Sequence, residues 1–277
     1  MSNREEMIQK CIEIAHHIRK DQIELTFGMG NVGAHIGGGL SLTEIMAVLY
    51  GGIMNISNDL LHDDNRDRLI FSKGHGTLAL YPAMKYAGII TDEQLQTYKK
   101  NETILYAHPS MNDEIGIEFS SGSLGQGLPL GVGVCLGLMR KNNNSSKVYV
   151  ILGDGECDEG SVWEAAQSAS HFGCKQLITI VDCNELQYDG PTDDIMSQAD
   201  FTNKWKSFGF HVENVDGHDV AQLWDVLSKE YEKPTVILAK TIKGKGVSFM
   251  ENNPLWHNHS LTQSQYEQAM KELEGKA

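Results

Sequence analysis

Lys147-Val148-Tyr149-Val150-Ile151-Leu152-Gly153-Asp154-Gly155-Glu156 sets the class of this chain. Its centre is a short apolar run bounded by a charged residue and turn formers, which reads as a buried strand. Gly153-Asp154-Gly155 ends that strand, and a helix is expected from Gly160 to Phe172. A second apolar run, Leu177 to Val181, then ends at Asp182-Cys183-Asn184. Further on, a short helix over Lys204 to Gly209 leads to a strand over Phe210 to Val215. A helix over Asp219 to Lys229 and a last strand over Thr235 to Lys240 complete the series. Strands alternating with helices predict an α/β fold, a doubly wound parallel sheet flanked by helices.

Upstream, Met7, Ile8, Cys11, Ile12, Ile14, Ala15 and Ile18 make Glu5 to Lys20 an amphipathic helix. A glycine-rich loop from Gly28 to Gly39 contains His35. Ser41-Leu42-Thr43-Glu44 has capping-box spacing and predicts a helix through Leu49; Thr91-Asp92-Glu93-Gln94 and the segment at Thr262 have the same signature. Asp67 to Ser72 reads as a strand running into the turn Lys73-Gly74-His75-Gly76. A helix follows from Thr77 to Ala87, where Pro82 is expected to kink it or mark its start. Gly122-Ser123-Leu124-Gly125-Gln126-Gly127 opens a glycine-rich apolar helix. No repeat or linker interrupts the chain, so one domain over 1–277 is the simplest organisation.

The formal net charge of −14 argues against nucleic acid and anionic membrane as partners. It also means that any anionic ligand needs local cations to receive it. Met1 to Lys20 lacks the apolar core of a signal peptide. The longest apolar run, Leu124 to Met139, is short for a bilayer and is interrupted by Gln126 and Pro129. Five cysteines without a Cys-x-x-Cys pair fit reduced thiols and a cytoplasmic location.

Asp154 and Asn184 each stand just past the end of an expected strand, and the two strands are consecutive. In a parallel sheet such ends lie side by side, where open α/β folds bind ligands. A carboxylate oxygen, an amide oxygen and a nearby backbone carbonyl are hard donors suited to magnesium, which takes its remaining ligands from phosphate and water. Gly153 and Gly155 let the backbone approach an anion, and the helix opening near Gly160 aims its amides the same way. A plain strand-to-helix turn with a capping aspartate would also read Gly-Asp-Gly. Asn184, in register on the next strand, favours the ligand site.

The match then becomes long. Gly153-Asp154-Gly155-Glu156, Glu159-Gly160, Trp163-Glu164-Ala165-Ala166 and Asp182-Cys183-Asn184-Glu185-Leu186-Gln187 resemble the thiamine diphosphate motif of transketolases. The resemblance extends to Gly33-Ala34-His35, Ser72-Lys73-Gly74-His75-Gly76, Ala107-His108-Pro109, Gly122 to Gly127, Lys240 to Gly246 and Trp256-His257. It implies the thiamine diphosphate-binding fold. It also implies transfer of a two-carbon ketol unit from a ketose, expected to be phosphorylated, to an aldose. Asp154, Asn184 and the carbonyl of Leu186 match metal ligands for magnesium, with calcium or manganese as alternatives. Gly153, Gly155 and Glu156 match the diphosphate-binding segment, and Gly122, Leu124 and His75 match positions along the cofactor. His35, His108 and His257 match histidines that bond the sugar near its reacting carbons, and with His75 they form the expected catalytic set. Glu159 matches a glutamate at a subunit interface. Ile36, Cys157, Asp158 and Asn258 depart from the family pattern; Asn258 follows His257 where the family has glycine.

Full-length transketolases carry a pyrimidine-binding domain after this one, with the glutamate that activates the cofactor. The resemblance therefore implies a split enzyme. A second chain would bring that domain, and the pair would assemble as a heterotetramer of two plus two. Two readings compete: one component of another thiamine enzyme acting on a sulfonated or branched ketose, and a non-catalytic assembly partner. Outside the family match, His16, His17, His62, His171 and His211 read as ordinary surface or packed histidines. Lys243 and Lys245 read equally as a phosphate clamp or a solvated loop. A nicotinamide dinucleotide site is disfavoured, because Gly122 to Gly127 lacks the required glycine spacing and a following acidic residue.

Overall fold

The computed structural model describes residues 3–275. Chain order is α1 (Asn3–Gly28), α2 (Ile36–Leu40), α3 (Thr43–Val48), β1 (Arg68–Phe71), α4 (Thr77–Tyr86), α5 (Asp92–Leu95), α6 (Gly127–Arg140) and β2 (Val148–Gly153). It continues with α7 (Gly160–His171), β3 (Leu177–Cys183), α8 (Thr192–Met196), α9 (Phe201–Ser207), β4 (His211–Asp216), α10 (Val220–Leu227), β5 (Thr235–Lys240) and α11 (Gln263–Glu274). The strands form one parallel sheet in the order β1-β2-β3-β5-β4.

Both faces of the sheet are covered, which explains the unbroken apolar runs. Tyr149 and Ile151 of β2 join Ile178, Ile180, Ile237 and Ala239 in one core, with α1, α3, α4, α10 and α11 above them. Val148, Val150 and Leu152 point the other way, into a second core with Val181, Val236, Leu238 and side chains of α6, α7 and Trp205 of α9. The period of two along each strand therefore divides one apolar run between two cores.

Register aligns the functional ends. Gly153 pairs with Asp182, and Cys183 with Lys240. Asp154 and Asn184 thus leave adjacent strands one residue past these pairs, as the sequence suggested. The capping boxes at Thr91 and Thr262 are both closed, each threonine accepting from the amide three residues on. The one expected at Ser41 is not. Ser41 is fully buried and donates to Asp182 Oδ2 at 2.6 Å, so its hydroxyl serves another element, and α3 starts at Thr43 without a side-chain cap. The first helix runs on to Gly28, well past Lys20, because Ile23, Leu25 and Thr26 stay buried. Pro82 lies inside α4 and does not mark its start. The helix expected at Lys204 begins earlier, at Phe201, where Asp200 accepts from Asn203 N–H at 3.0 Å. All five cysteines are free and four are buried. No helix among the described residues is long and apolar enough to cross a membrane.

Candidate active site

A cleft of about 210 Å³ opens at the carboxyl ends of β2 and β3. Gly153, Asp154, Gly155, Glu156, Asn184, Leu186, Leu124, His75, Lys73, Lys243 and His257 are among its lining residues. A wider opening of about 480 Å³ also has Asp154, Asn184 and Leu186 on its wall. The expected metal pair therefore stands between two solvent-sized spaces.

Asp154 accepts from the amides of Gly155 at 2.8 Å and Glu185 at 2.6 Å. It is buried and pairs with no cationic side chain among the described residues. Burial, and next the charge of Asp182, push its pKa up to about 6. A buried carboxylate without a counter-ion is costly to ionise, and a bound cation would remove that cost. Asn184 lies beside it. Its amide nitrogen donates to Asp182 Oδ2 at 3.1 Å, which fixes the flip of the amide, while Oδ1 accepts from the Leu186 amide at 3.1 Å and keeps a second lone pair for a metal ion. Hard oxygens from Asp154, Asn184 and a carbonyl suit a magnesium-like ion.

Asp182 is the hub beneath this pair. It is fully buried and takes hydrogen bonds from Lys73, Ser41, Thr241 and Asn184. Burial alone would raise its pKa; the Lys73 ammonium and the two hydroxyls bring it below its ordinary value. The charge therefore stays on Asp182, and with it the orientation of Asn184 and Lys73.

Lys243 is only 2% exposed, so the solvated-loop reading fails for it. Its Nζ donates to the carbonyls of Leu186 at 2.8 Å and Gln187 at 3.1 Å, and to His257 Nδ1 at 3.1 Å. Burial, and next the charge of Lys73, lower its pKa to about 8. Lys245 is instead half-exposed and reaches Glu251 at 3.8 Å. Lys73 and Lys243 supply the local positive charge that an anion would need in this acidic chain.

The four expected histidines converge. His35 lies 5.7 Å from His75, 5.7 Å from His108 and 5.4 Å from His257 between ring centroids, and His75 and His257 are 5.3 Å apart. Burial, then neighbouring charge, lowers His35 to about 4 and His257 to about 3; it lowers His75 and His108 as well. All four are therefore neutral near pH 7, each with one donor and one acceptor nitrogen. Lys243 donates to His257 Nδ1, which places the His257 proton on Nε2. His35 Nδ1 is buried without a partner among the described residues, an orphan that a ligand hydroxyl would satisfy.

Some expected contributions are placed differently. Glu156 spends both carboxylate oxygens on the protein, accepting from Ser72 and from the amides of Gly125 at 2.8 Å and Gly153 at 3.0 Å. What it offers an anion is backbone, not side chain. A Cβ on Gly155 would come within 2.6 Å of the Gln187 side chain, so that glycine is needed for close packing. At Gly153 a Cβ would instead make only ordinary contacts, 3.9 Å from the Glu156 and Lys73 side chains. Gly122 lines a neighbouring depression with Ser121, Ser123 and Gln126 instead of this cleft. The amino end of α7 is also displaced, because the turn Gly155–Asp158 intervenes and Ser161 bonds Gly125 O. Glu159 is exposed just before α7.

The family profile described as "Transketolase, thiamine diphosphate binding domain" matches residues 9–275. A 6-deoxy-6-sulfo-D-fructose transketolase subunit of Clostridium sp. (strain MSTE9) is 39% identical over 97% of this chain and 98% of its own length. One of the subunits of an apulose-4-phosphate transketolase, from Actinobacillus succinogenes, is 38% identical over 87% of this chain and 88% of its own length. The chain belongs to the transketolase family. Human transketolase is 33% identical over 97% of this chain, which spans 43% of it. The crystal structure of transketolase from Campylobacter jejuni superimposes with a TM-score of 0.84 at 25% identity, over 97% of this chain and 43% of that one. The parallel sheet and its helices are thus those of the family's thiamine diphosphate binding domain.

Within that family frame, Lys73, Asp182, Ser41 and Thr241 carry roles that the sequence alone did not show. Lys73 precedes His75 by two residues and Asp182 precedes Asn184 by two, so both ion-pair partners lie inside the family motifs.

Proposed function

We propose that this chain is the diphosphate- and metal-binding component of a two-chain transketolase. The observation that carries the reading is the convergence of Asp154, Asn184, Lys243, His75 and His257 on one cleft, with His35 clustered against those two rings and His108 against His35. Thiamine diphosphate supplies the electron sink on which a ketose bond is broken and a two-carbon unit passed to an aldose. Asp154 and Asn184 would hold its magnesium, with Leu186 O as a third ligand. An ammonium and a divalent cation on one carbonyl repel each other, so Lys243 would leave Leu186 O and turn to the diphosphate. Gly153 and the backbone of Gly155 and Glu156 would line the phosphates, and Leu124 and His75 the rest of the cofactor. His35, His108 and His257 would exchange protons with sugar hydroxyls, which their neutral state permits.

The partner is proposed on two grounds. Relatives that match over nearly their full length are named as subunits. Large apolar side chains are also exposed beside the cleft: Tyr188, Val32 and Leu255, each within three residues of a cleft or cluster residue. A chain carrying the pyrimidine-binding domain would cover them, in a cytoplasmic heterotetramer of two plus two. Glu159 would lie at a subunit contact. The purified chain is expected to show no ketol transfer with magnesium and thiamine diphosphate until that second chain is added. Turnover by this chain alone would sink the split-site reading.

A second reading concerns the donor. The relatives at 39% and 38% identity are named for a sulfonated ketose and for apulose 4-phosphate. Transfer from such a ketose, tested beside common ketose phosphates in one assay, would assign this enzyme to an unusual sugar.

A further inference from the structure

The loop that carries Lys243 runs between two cavities. Ile242 lines a cavity of about 680 Å³ beyond the ends of β5 and β4. On the other side, Gly246 lines a cavity of about 360 Å³ against α1. His218 and Lys245 line both, so this loop and its supports form a wall between two spaces. Lys243 and Val247 are buried, and backbone bonds from Gly244 N–H to Gly37 O at 3.0 Å and from Asn252 N–H to Lys243 O at 2.9 Å hold the turn itself. Side-chain hydrogen bonds add support from the two cavity walls.

Those bonds bracket Lys243. On one side the amide of Ile242 donates to His218 Nε2 at 2.8 Å. On the other, Arg19 Nε donates to the carbonyl of Lys245 at 3.1 Å. One carboxylate joins the two supports: Glu44 Oε1 accepts from Arg19 at 2.5 Å, and Glu44 Oε2 from His218 Nδ1 at 2.9 Å. Arg19, Glu44 and His218 side chains are about nine-tenths buried, at 11%, 10% and 11% exposure. The tautomer follows from the partners. Nε2 accepts an amide hydrogen and so carries none, and Nδ1 carries the proton given to Glu44. Burial would raise the Glu44 pKa, but Arg19 and His218 outweigh it and hold it at about 2, so the carboxylate stays charged.

We propose that Arg19, Glu44 and His218 are positioning residues that set the Lys243 ammonium for the anionic end of the cofactor. They touch neither the cleft nor its ligand. They fix the backbone on both sides of Lys243, whose Nζ reaches the cleft wall at Leu186 O and His257 Nδ1. Ser41, Lys73 and Asp182 hold the metal side of the cleft; this clasp holds the lysine side, from the opposite face of the loop. The proposal rests on Lys243 facing the cofactor diphosphate.

The test is calorimetric titration of magnesium thiamine diphosphate into the full chain and its variants. His218→Phe fills the same space but removes both hydrogen bonds, and is expected to weaken binding about tenfold. His218→Gln keeps an acceptor near the Nε2 position and is expected to bind within about twofold of the parent. Lys243→Met weakens binding by itself. Adding His218→Phe to it should cost almost nothing more, because the clasp acts only through that lysine. Arg19→Met enters from the other anchor and should show the same non-additivity, which decides the matter even if His218→Phe does not fold. Equal loss in the Phe and Gln variants, or full additivity with Lys243→Met, overturns the clasp and leaves the cleft assignment standing. Failure of the parent chain to bind the cofactor overturns both.

Discussion

Asp154 is held where its charge is costly. Burial and Asp182 push its pKa to about 6, and no cationic side chain among the described residues pairs with it. If a metal ion relieves that cost, Asp154→Ala should abolish retention of magnesium thiamine diphosphate. Equilibrium dialysis would show it as at least about a hundredfold loss of affinity. His108 lies at the other end of the histidine cluster, 5.7 Å from His35 and outside the lining of the diphosphate cleft. His108→Ala should keep the cofactor and slow turnover by about a hundredfold. Equal cofactor loss in the two variants would mean that His108 is not at the sugar end. Asp154, Asn184 and the histidines stood out because each sits in a short motif that the family resemblance matches. Lys73 and Asp182 are 109 residues apart, and Lys243 could not be told from Lys245, both reading equally as a phosphate clamp or a solvated loop. Only folding shows which lysines lose their water.

The same sequence pattern produced different elements in different surroundings. Thr91 and Ser41 both begin a capping-box spacing. Thr91 lies at an exposed turn, and its hydroxyl caps α5. Ser41 lies under the sheet ends, where its hydroxyl is turned to donate to the charged Asp182. Thr91→Ala should therefore lower the free energy of urea unfolding by about 1 kcal/mol and leave cofactor binding unchanged. Ser41→Ala should weaken cofactor binding as well, because it removes a bond to the hub that orients Asn184 and Lys73. A binding constant unchanged in Ser41→Ala would restrict Asp182 to a folding role. Strands β2, β3 and β5 were readable because each run is apolar on both faces, whereas β4, at the edge, alternates with polar residues. The spatial order was not readable: β5 inserts between β3 and β4, and the sequence carries no mark of that pairing.

Across the whole molecule, the histidine cluster ties stability to pH. His35 and His257 have folded pKa values near 4 and 3 against an ordinary 6.5. The unfolded chain binds those protons first, so stability is fully present above 6.5 and falls as pH drops toward 4. Asp154 acts in the opposite sense, because its folded pKa of about 6 lets the native state take up a proton between 6 and its ordinary 3.8. Asp21, Glu24, Asp67 and Glu156 are raised in the same sense as Asp154, but their ordinary values lie below 5. His75 and His108 join His35 and His257 in shifting down from an ordinary 6.5, so the histidines set the slope between pH 7 and 5. The urea midpoint should fall from pH 7 to pH 5, with a slope near 1.4 kcal/mol per pH unit for each net proton. A midpoint that rises over that range would mean the rings are charged in the folded state.

The exposed apolar side chains give the last prediction. Leu255 is 74% exposed, two residues before His257, and Tyr188 is 70% exposed with its ring 5.2 Å from that of His257. Scattered apolar residues on a surface need no explanation, but these flank a cleft whose proposed chemistry needs a second chain. If the partner covers them, a charge at Leu255 meets an apolar surface on association and nothing in the free chain. Leu255→Glu should leave the unfolding free energy within about 0.5 kcal/mol of the parent. It should leave the binding of magnesium thiamine diphosphate unchanged, while association with the pyrimidine-bearing chain weakens and turnover of the mixture falls with it. Light scattering reads the assembly and the ketol-transfer assay reads the activity. Full assembly and full turnover in Leu255→Glu would move the partner's contact to another face.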